Sequence, residues 1–414
     1  MAAARTVRGT RDLLPDDSRR LRSVEEAAWQ TARRFGYGEI ATPIFEFTEV
    51  FARTLGDTSD VVTKEMYTFN DRGGDSLTLR PENTAGIVRA FISNSLASQL
   101  PQRIFYRGPM FRYERPQKGR LRQFHQVGVE LLGAADPLAD VEVIALAHEF
   151  LSALGLADAI VLEMNTLGSG DSRAAYRDRL VDYLQRHRDR LSADSLDRLE
   201  RNPLRILDSK DAGDRAVIDG APVLAESLDE ASRGFFEAVR AGLDELEIPH
   251  RINPRLVRGL DYYCHTTFEF TTEHLGAQGT VLAGGRYDGL VAQMGGPATP
   301  GTGWAAGVER LMMLSAADAA PPRPIAMIAL GREQSGAALR LARRLRRAGH
   351  TVQFGFGTSL GKQMKWANRI GARLAVILGS DEVARQVASL RDMDVGAQEE
   401  VSLDRIEERL AETA

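Results

Sequence analysis

A single cysteine, Cys264, occurs among the 414 residues, which excludes an intrachain disulfide and any zinc site built from several thiolates. Long apolar runs are missing too: no stretch approaches the roughly 20 residues that a membrane-spanning helix requires, so no membrane partner is expected. The opening MAAARTVRGTRDLLP lacks the apolar segment of a signal peptide and meets a proline early, which leaves a cytoplasmic location as the expectation. Charge of one sign is also lacking. With a net charge of −4, any nucleic acid has to be met by a local basic concentration rather than by the whole surface. Hydrophobic residues at 43% and charged residues at 27% are ordinary for a globular chain able to bury a sizeable core. The length exceeds what one core usually supports, so about two or three domains are expected.

Two basic concentrations are present. One contains Arg107, Arg112, Arg115, Lys118, Arg120 and Arg122; the other contains Arg340, Arg343, Arg344, Arg346 and Arg347. In the second, Leu339, Leu341 and Leu345 alternate with the arginines as on an amphipathic helix, which reads as a solvated helix face.

The spacing of Leu21, Val24, Ala28 and Ala32 predicts a helix over about residues 18–36, closed by Gly36 and Gly38. A strand over about 37–44 follows, and its Pro43 suits an edge or an interface. Strand-like runs at 77–79, 103–108, 123–132, 267–270 and 303–307, with helices near 88–94, 137–154 and 308–315, arrive in clusters. That order predicts an α+β core, a mixed but mainly antiparallel sheet flanked by helices, rather than a Rossmann unit. Charged, mostly helical sequence from about 168 to 247 reads as an inserted helical module. The run DAAPPRP at 318–324 is a linker, because paired prolines exclude helix. Beyond it, strand and helix alternate over 325–379, which predicts a small α/β domain with a parallel sheet. The expected domains are therefore 1–320, with the insertion, and 321–414.

The run FRYERPQKGRLRQFHQ at 111–126 places two strand-like segments around a Pro-Gln-Lys-Gly loop. Such a hairpin can set guanidinium forks on polyphosphate oxygens and offer Phe124 as a stacking face for a base. On charge alone a surface hairpin with an incidental aromatic fits equally well. Two further runs, LVRGLDYYCHTTFEF at 256–270 and GGRYDGLV at 284–291, set glycines beside Arg258 and Tyr287. They could line a polar pocket, or Tyr262, Tyr263 and Tyr287 could be half-buried sheet aromatics. In GWAAGVERLMML at 303–314, Val308, Leu311, Met312 and Leu314 read as core, and Arg310 stands out as the exception. No metal-ligating side-chain set emerges, the Cys264-His265 pair included.

Taken in order, TRDLLP, RPENTAG, FRYERPQKGRLRQFHQ, LVRGLDYY, GGRYDGLV and GVERL resemble the class II aminoacyl-tRNA synthetase motifs together with the two signatures of histidyl-tRNA synthetases. The resemblance extends over nearly the whole chain, since GKQMKWANRIGARLAVILG is similar to the family's anticodon-binding domain. It implies a histidine–tRNA ligase using ATP with Mg2+, L-histidine and tRNA(His). Pro43 matches motif 1, which implies a homodimer. Carried over by residue, Arg112 and Arg258 would be catalytic, beside the α-phosphate and the histidine carboxylate. Glu114 and Phe124 would position adenine, and Arg120 and Arg310 would complete the ATP site, Arg310 on the γ-phosphate. Glu82, Thr84 and Gln126 would take the amino group of histidine, while Glu130 and Tyr263 would meet its imidazole nitrogens within a pocket completed by Tyr262 and Tyr287. Arg115, Gln117 and Arg120 would face the acceptor end of tRNA. Where the family commonly has glycine in RPEGTAG, this chain has Asn83, an added side chain beside the amino-group site.

Two alternatives share the fold. A histidine-binding regulatory paralogue of a histidine-biosynthetic enzyme typically lacks the C-terminal domain and degrades motif 2, whereas Arg112, Arg258 and Arg310 are all present here. Synthetases for threonine, proline or glycine share the core but not the two histidine signatures.

Overall fold

A computed structural model describes residues 4–55, 61–117, 119–257, 262–275, 279–315, 322–357 and 359–412. They fall into two compact units, Met1–Ala319 and Ala320–Ala414.

The first unit opens with α1 (Pro15–Arg34), which starts on Pro15, where a missing N–H leaves nothing unsatisfied, and carries Asp16 and Asp17 at its positive end. Its buried stripe is Val24, Ala28, Thr31 and Ala32. Then come β1 (Gly38–Glu39), β2 (Phe45–Phe47), α2 (Thr48–Leu55), β3 (Tyr67–Asn70), β4 (Ser76–Leu79), α3 (Thr84–Ser93), β5 (Gln102–Phe111), β6 (Gln123–Leu132), α4 (Pro137–Ala153) and β7 (Val161–Thr166). The strand expected over 37–44 is broken. Only Gly38 and Glu39 pair, with Ile104 and Phe105 of β5, and the chain leaves that sheet before Phe45–Phe47 joins a separate one ordered β2-β4-β3. Pro43, with no N–H to give to a ladder, falls in the gap.

Helices α5 (Gly170–Arg186), α6 (Ala193–Arg201), α7 (Ala212–Ile218) and α8 (Glu230–Glu245) occupy the inserted region. Each begins on a side chain that accepts a backbone N–H, namely Ser169, Ser192, Asp211 and Asp229. The unit closes with β8 (His250–Ile252), β9 (Cys264–Thr271), β10 (Thr280–Arg286), α9 (Leu290–Gln293), β11 (Gly301–Gly307) and α10 (Val308–Leu314).

Eight strands form the central sheet in the order β1-β5-β6-β11-β10-β9-β7-β8. Only the edge pairs β1–β5 and β7–β8 are parallel; the five pairs between them are antiparallel. Along β6 the alternation of side chains assigns Val127, Val129 and Leu131 to the core shared with α1, α4, α8 and α10. Gln126, Gly128 and Glu130 therefore face the other side, where the start of α3 borders a cleft.

The second unit contains β12 (Ile325–Ala329), α11 (Arg332–Arg347), β13 (Val352–Phe354), α12 (Leu360–Arg369), β14 (Leu374–Leu378), α13 (Ser380–Arg385), β15 (Val387–Asp392), β16 (Gln398–Ser402) and α14 (Ile406–Ala411). Its sheet runs β13-β12-β14-β15-β16. The first three strands are parallel, and an antiparallel extension through β15 and β16, not anticipated from the sequence, follows. Arg340, Arg343, Arg344, Arg346 and Arg347 of α11 are exposed; Arg344 pairs with Glu407, and Arg346 donates to Val352 O. Among the described residues no helix is long and apolar enough to cross a membrane.

Candidate active site

β5 and β6 pair without interruption from Gln102↔Leu132 to Phe111↔Gln123, so residues 112–122 form one long loop. Arg112 N donates to Arg122 O at 2.9 Å across its base, and Gln117 and Arg120 exchange backbone hydrogen bonds at its tip. Lys118 lies outside the described residues. The arginines are held by specific partners: Arg112 Nε donates to Pro81 O at 2.8 Å, with its guanidinium 5.4 Å from the Phe124 ring centroid. Arg120 donates to Glu114 Oε2 at 3.1 Å. Arg122, by contrast, lies 3.7 Å over the Tyr113 ring. Arg310, in the first turn of α10, donates to Thr280 O; burial, and then the like charge of Arg120, depress its pKa.

At the other end of the cleft the chain before α3 sets Glu82 under the helix start, where it accepts the N–H groups of Thr84 at 2.7 Å and Ala85 at 2.9 Å. Glu130, 1% exposed, accepts from Thr84 Oγ1 at 2.7 Å and from the Tyr287 hydroxyl. Burial raises the pKa of both carboxyls, that of Glu130 to about 8, against the opposing hydrogen bonds from Tyr287 and Thr84. Tyr262 packs with Tyr263 at 4.6 Å between centroids and with Tyr287 at 5.7 Å. Gln126 Oε1 is buried and has no hydrogen-bond partner among the described residues. Gly303 stands opposite Glu130 in the β6–β11 ladder, and a Cβ there would fall on the Glu130 carboxylate. Only glycine leaves that carboxylate its place.

One cleft of about 210 Å³ joins both ends. It is lined by Glu82, Thr84, Arg112, Glu114, Arg120, Phe124, Gln126, Glu130, Tyr262, Tyr263, Tyr287 and Arg310, all singled out from the sequence. Arg115 and Gln117 do not line it; both are exposed on the hairpin tip. Arg258 lies outside the described residues. Asn83 does not line the cleft: buried at 1% exposure, it accepts from Thr42 Oγ1 at 2.7 Å. Cys264 accepts from Asp288 N at 3.4 Å, and burial pushes its thiol up to about 12.

Several contributors escaped the sequence reading. Thr280, Val281, Leu282 and Ala283 of β10 line one wall, and Trp304 and Ala305 of β11 continue it. The paired glycines at the end of β10 masked it as a loop. Glu309 lines the cleft and accepts the N–H of His125 at 2.9 Å and its Nδ1 at 2.8 Å, across 184 residues of chain. A contact of that span has no local sequence signal.

A family model described as histidyl-tRNA synthetase matches residues 9–311, and one described as an anticodon binding domain matches residues 325–413. A Rhodospirillum rubrum protein named histidine–tRNA ligase is 65% identical over 412 residues, 99% of each chain. A protein of the same name from Gluconacetobacter diazotrophicus is 56% identical over 411 residues, again 99% of each. Among solved structures, apo S. aureus histidyl-tRNA synthetase aligns with a TM-score of 0.83 at 33% identity, over 98% of this chain and 99% of that one. With likeness of this degree running through both units, the chain belongs to the histidyl-tRNA synthetase family.

Proposed function

We infer that this chain is a histidine–tRNA ligase, which activates L-histidine with ATP to histidyl-adenylate and pyrophosphate and then transfers histidine to the 3′ end of tRNA(His). The observation that carries the reading is the chemical division of one cleft. Its inner end holds two buried carboxyls, a carboxamide oxygen unpartnered among the described residues, and three tyrosines; its outer end holds Arg112, Arg120 and Arg310. The inner end favours a ligand that brings N–H groups and positive charge, and the outer end favours phosphates.

Glu82, Thr84 and Gln126 would take the histidine ammonium group, and Glu130 and Tyr263 the imidazole nitrogens, with Tyr262 and Tyr287 enclosing the ring. A Glu130 whose pKa stands at about 8 holds its proton near neutrality and can offer a donor or an acceptor to a neutral imidazole. A side chain without matching nitrogens would leave these buried groups unpaired, which can discriminate by ~10⁴ without an editing site. Adenine would lie between Glu114 and Phe124, with Arg120 and Arg310 on the outer phosphates. Arg112 and Arg258 would flank the α-phosphate. When the histidine carboxylate attacks the α-phosphorus, negative charge grows on the pentacoordinate oxygens, and a preorganised cation there contributes ~3 kcal/mol or more. Positioning does the rest, and no protein nucleophile is required. In the transfer step a phosphate oxygen of the adenylate serves as base for the ribose hydroxyl.

Mg2+ accompanying ATP would neutralise charge on the polyphosphate, and Glu114 and Glu309, carboxylates lining the cleft, would offer the hard oxygen donors it takes. Arg115, Gln117 and Arg120, at and beside the hairpin tip, would meet the acceptor end of tRNA. Residues 1–320 would act as the catalytic domain with its helical insertion, and 321–414 as the anticodon-binding domain. A homodimer is supported by the half-exposed Ile44, Phe45, Phe47 and Phe69 around the small β2-β4-β3 sheet. The cytoplasm is the site of the reaction. A histidine-binding regulatory role is not favoured, since the relatives named as ligases match the chain from end to end.

ATP–pyrophosphate exchange with each amino acid separately tests the assignment. Histidine alone should support exchange; exchange with another amino acid and not histidine would overturn it, and none at all would point to the regulatory role. Arg258→Ala should fold normally and lose exchange by about 100-fold or more, the scale of a lost electrostatic donor. Near parental exchange would make Arg258 a structural residue.

A further inference from the structure

Within the C-terminal unit, β12 and β13 are adjacent and parallel, yet the helices that follow them pack on opposite faces. α11 buries Ala338 and Leu341 against Ile325 and Met327, while α12 buries Ala367 against Ala326 and Ile328. Open α/β sheets bind their ligands outside the carboxyl ends of their parallel strands. Residues 355–357, Gly-Phe-Gly, form the loop that leaves the carboxyl end of β13.

Phe356 stands there 98% exposed, its ring 6.0 Å from that of the half-buried Phe354. No packing inside the unit accounts for it, and leaving a phenyl ring in water is unfavourable. The loop that presents it is nonetheless fixed. Gly355 N donates to Met327 O at 2.9 Å. Gln363, 2% exposed, donates through Nε2 to Ala329 O at 2.9 Å and to Gly357 O at 2.6 Å, tying β12 to the loop. A Cβ on Gly355 would strike Gln363 and press on Trp366. Along the exposed side of α12, Lys362, Lys365 and Arg369 follow at spacings of three and four, so they share one face, and none forms an ion pair among the described residues. An exposed aromatic on a fixed loop beside an unneutralised basic stripe is the arrangement that binds single-stranded nucleic acid: the ring stacks a base and the cations follow the backbone.

We propose that Phe356 is a stacking platform for an unpaired base of the tRNA anticodon loop, with Lys362, Lys365 and Arg369 holding the flanking phosphates. The proposal rests on the reading of the chain as a tRNA ligase. Every base has a π-face, so the stack contributes affinity rather than choice of base.

The test uses the full chain and its Phe356→Ala and Phe356→Tyr variants. Charging is measured with intact tRNA(His) transcript and with a minihelix that contains the acceptor stem alone. Phe356→Ala should raise KM for intact tRNA about tenfold or more, the scale of one lost base–aromatic stack. It should leave histidine-dependent pyrophosphate exchange and minihelix charging unchanged, and Phe356→Tyr should restore the parental KM. An unchanged KM in Phe356→Ala, or an equal loss on the minihelix, would overturn the proposal. Replacing Lys362 and Lys365 by Gln should flatten the salt dependence of tRNA binding by about one to two in log–log slope; an unaltered slope removes the phosphate contacts. If the parent enzyme shows no histidine-dependent exchange, it is the ligase reading that fails. Binding of a fluorescent anticodon stem-loop RNA to parent and Phe356→Ala then decides the stack by itself: equal affinities overturn it.

Discussion

Glu130, proposed as a recognition group, is also a liability to the fold. Its carboxyl rises from the usual 4.5 to about 8 on folding, so the native state binds the proton more tightly than the unfolded chain does. Stability from this group therefore falls as pH climbs from about 4.5 to about 8, and the loss is complete above that. Glu130→Gln preserves the shape and cannot ionise. Its melting temperature relative to the parent should be close at about pH 5 and should shift in the variant's favour toward about pH 8.5; a pH-independent difference would count against a buried, strained carboxyl. The place of Glu130 in the cleft was legible from its neighbours in sequence, but its protonation was not. That depends on burial and on Tyr287, Thr84 and Glu82, which arrive from two other parts of the chain.

Among the elements, α10 and the β5–β6 hairpin are joined by one buried contact. Glu309 holds both the backbone N–H and the Nδ1 of His125, and the neighbouring Arg310 lines the same cleft. Glu309→Ala would leave those buried groups unpaired, a loss of about 1–3 kcal/mol. Differential scanning calorimetry should register a lower Tm, and kinetics should show KM for ATP rising more than KM for histidine; equal changes in the two would deny that Glu309 sets the ATP end. Element existence was readable where one face is buried and the other is not, as in α1 and α11, because that pattern repeats at helical spacing. It was unreadable in two kinds of place. β10 is buried by strands on both edges and ends on Gly284 and Gly285, so it shows neither alternation nor β-branched enrichment over its last residues. The run 37–44 has strand-like composition, but Pro43 and the demand of two different sheets split it into two short pieces.

At the scale of the whole chain, the exposed aromatics Phe45 and Phe47, at 52% and 53%, occupy the edge strand β2 of a three-stranded sheet. An edge of that kind invites a second copy, and covering it stabilises both. For the proposed homodimer, replacing Phe45 and Phe47 by Ser should yield monomer in sedimentation equilibrium at concentrations where the parent sediments as a dimer. Dimerisation with parental affinity would move the interface elsewhere.

The sequence by itself determined the chemistry available: which arginines, carboxylates and tyrosines exist, the order of the motif runs that carry them, the helical insertion and the α/β character of the C-terminal part. These are local properties, set by composition and by the spacing of apolar residues. Only the tertiary structure decided which of those groups meet. Glu82, Glu130 and Tyr287 share one pocket because α3, β6 and the end of β10 converge on one side of the sheet; Asn83, adjacent to Glu82 and Thr84 in sequence, bonds to Thr42 and does not line it. Phe356 became noticeable only once the faces of its sheet were assigned. Burial and long-range pairing are set by contacts tens to hundreds of residues apart, and no local pattern encodes them.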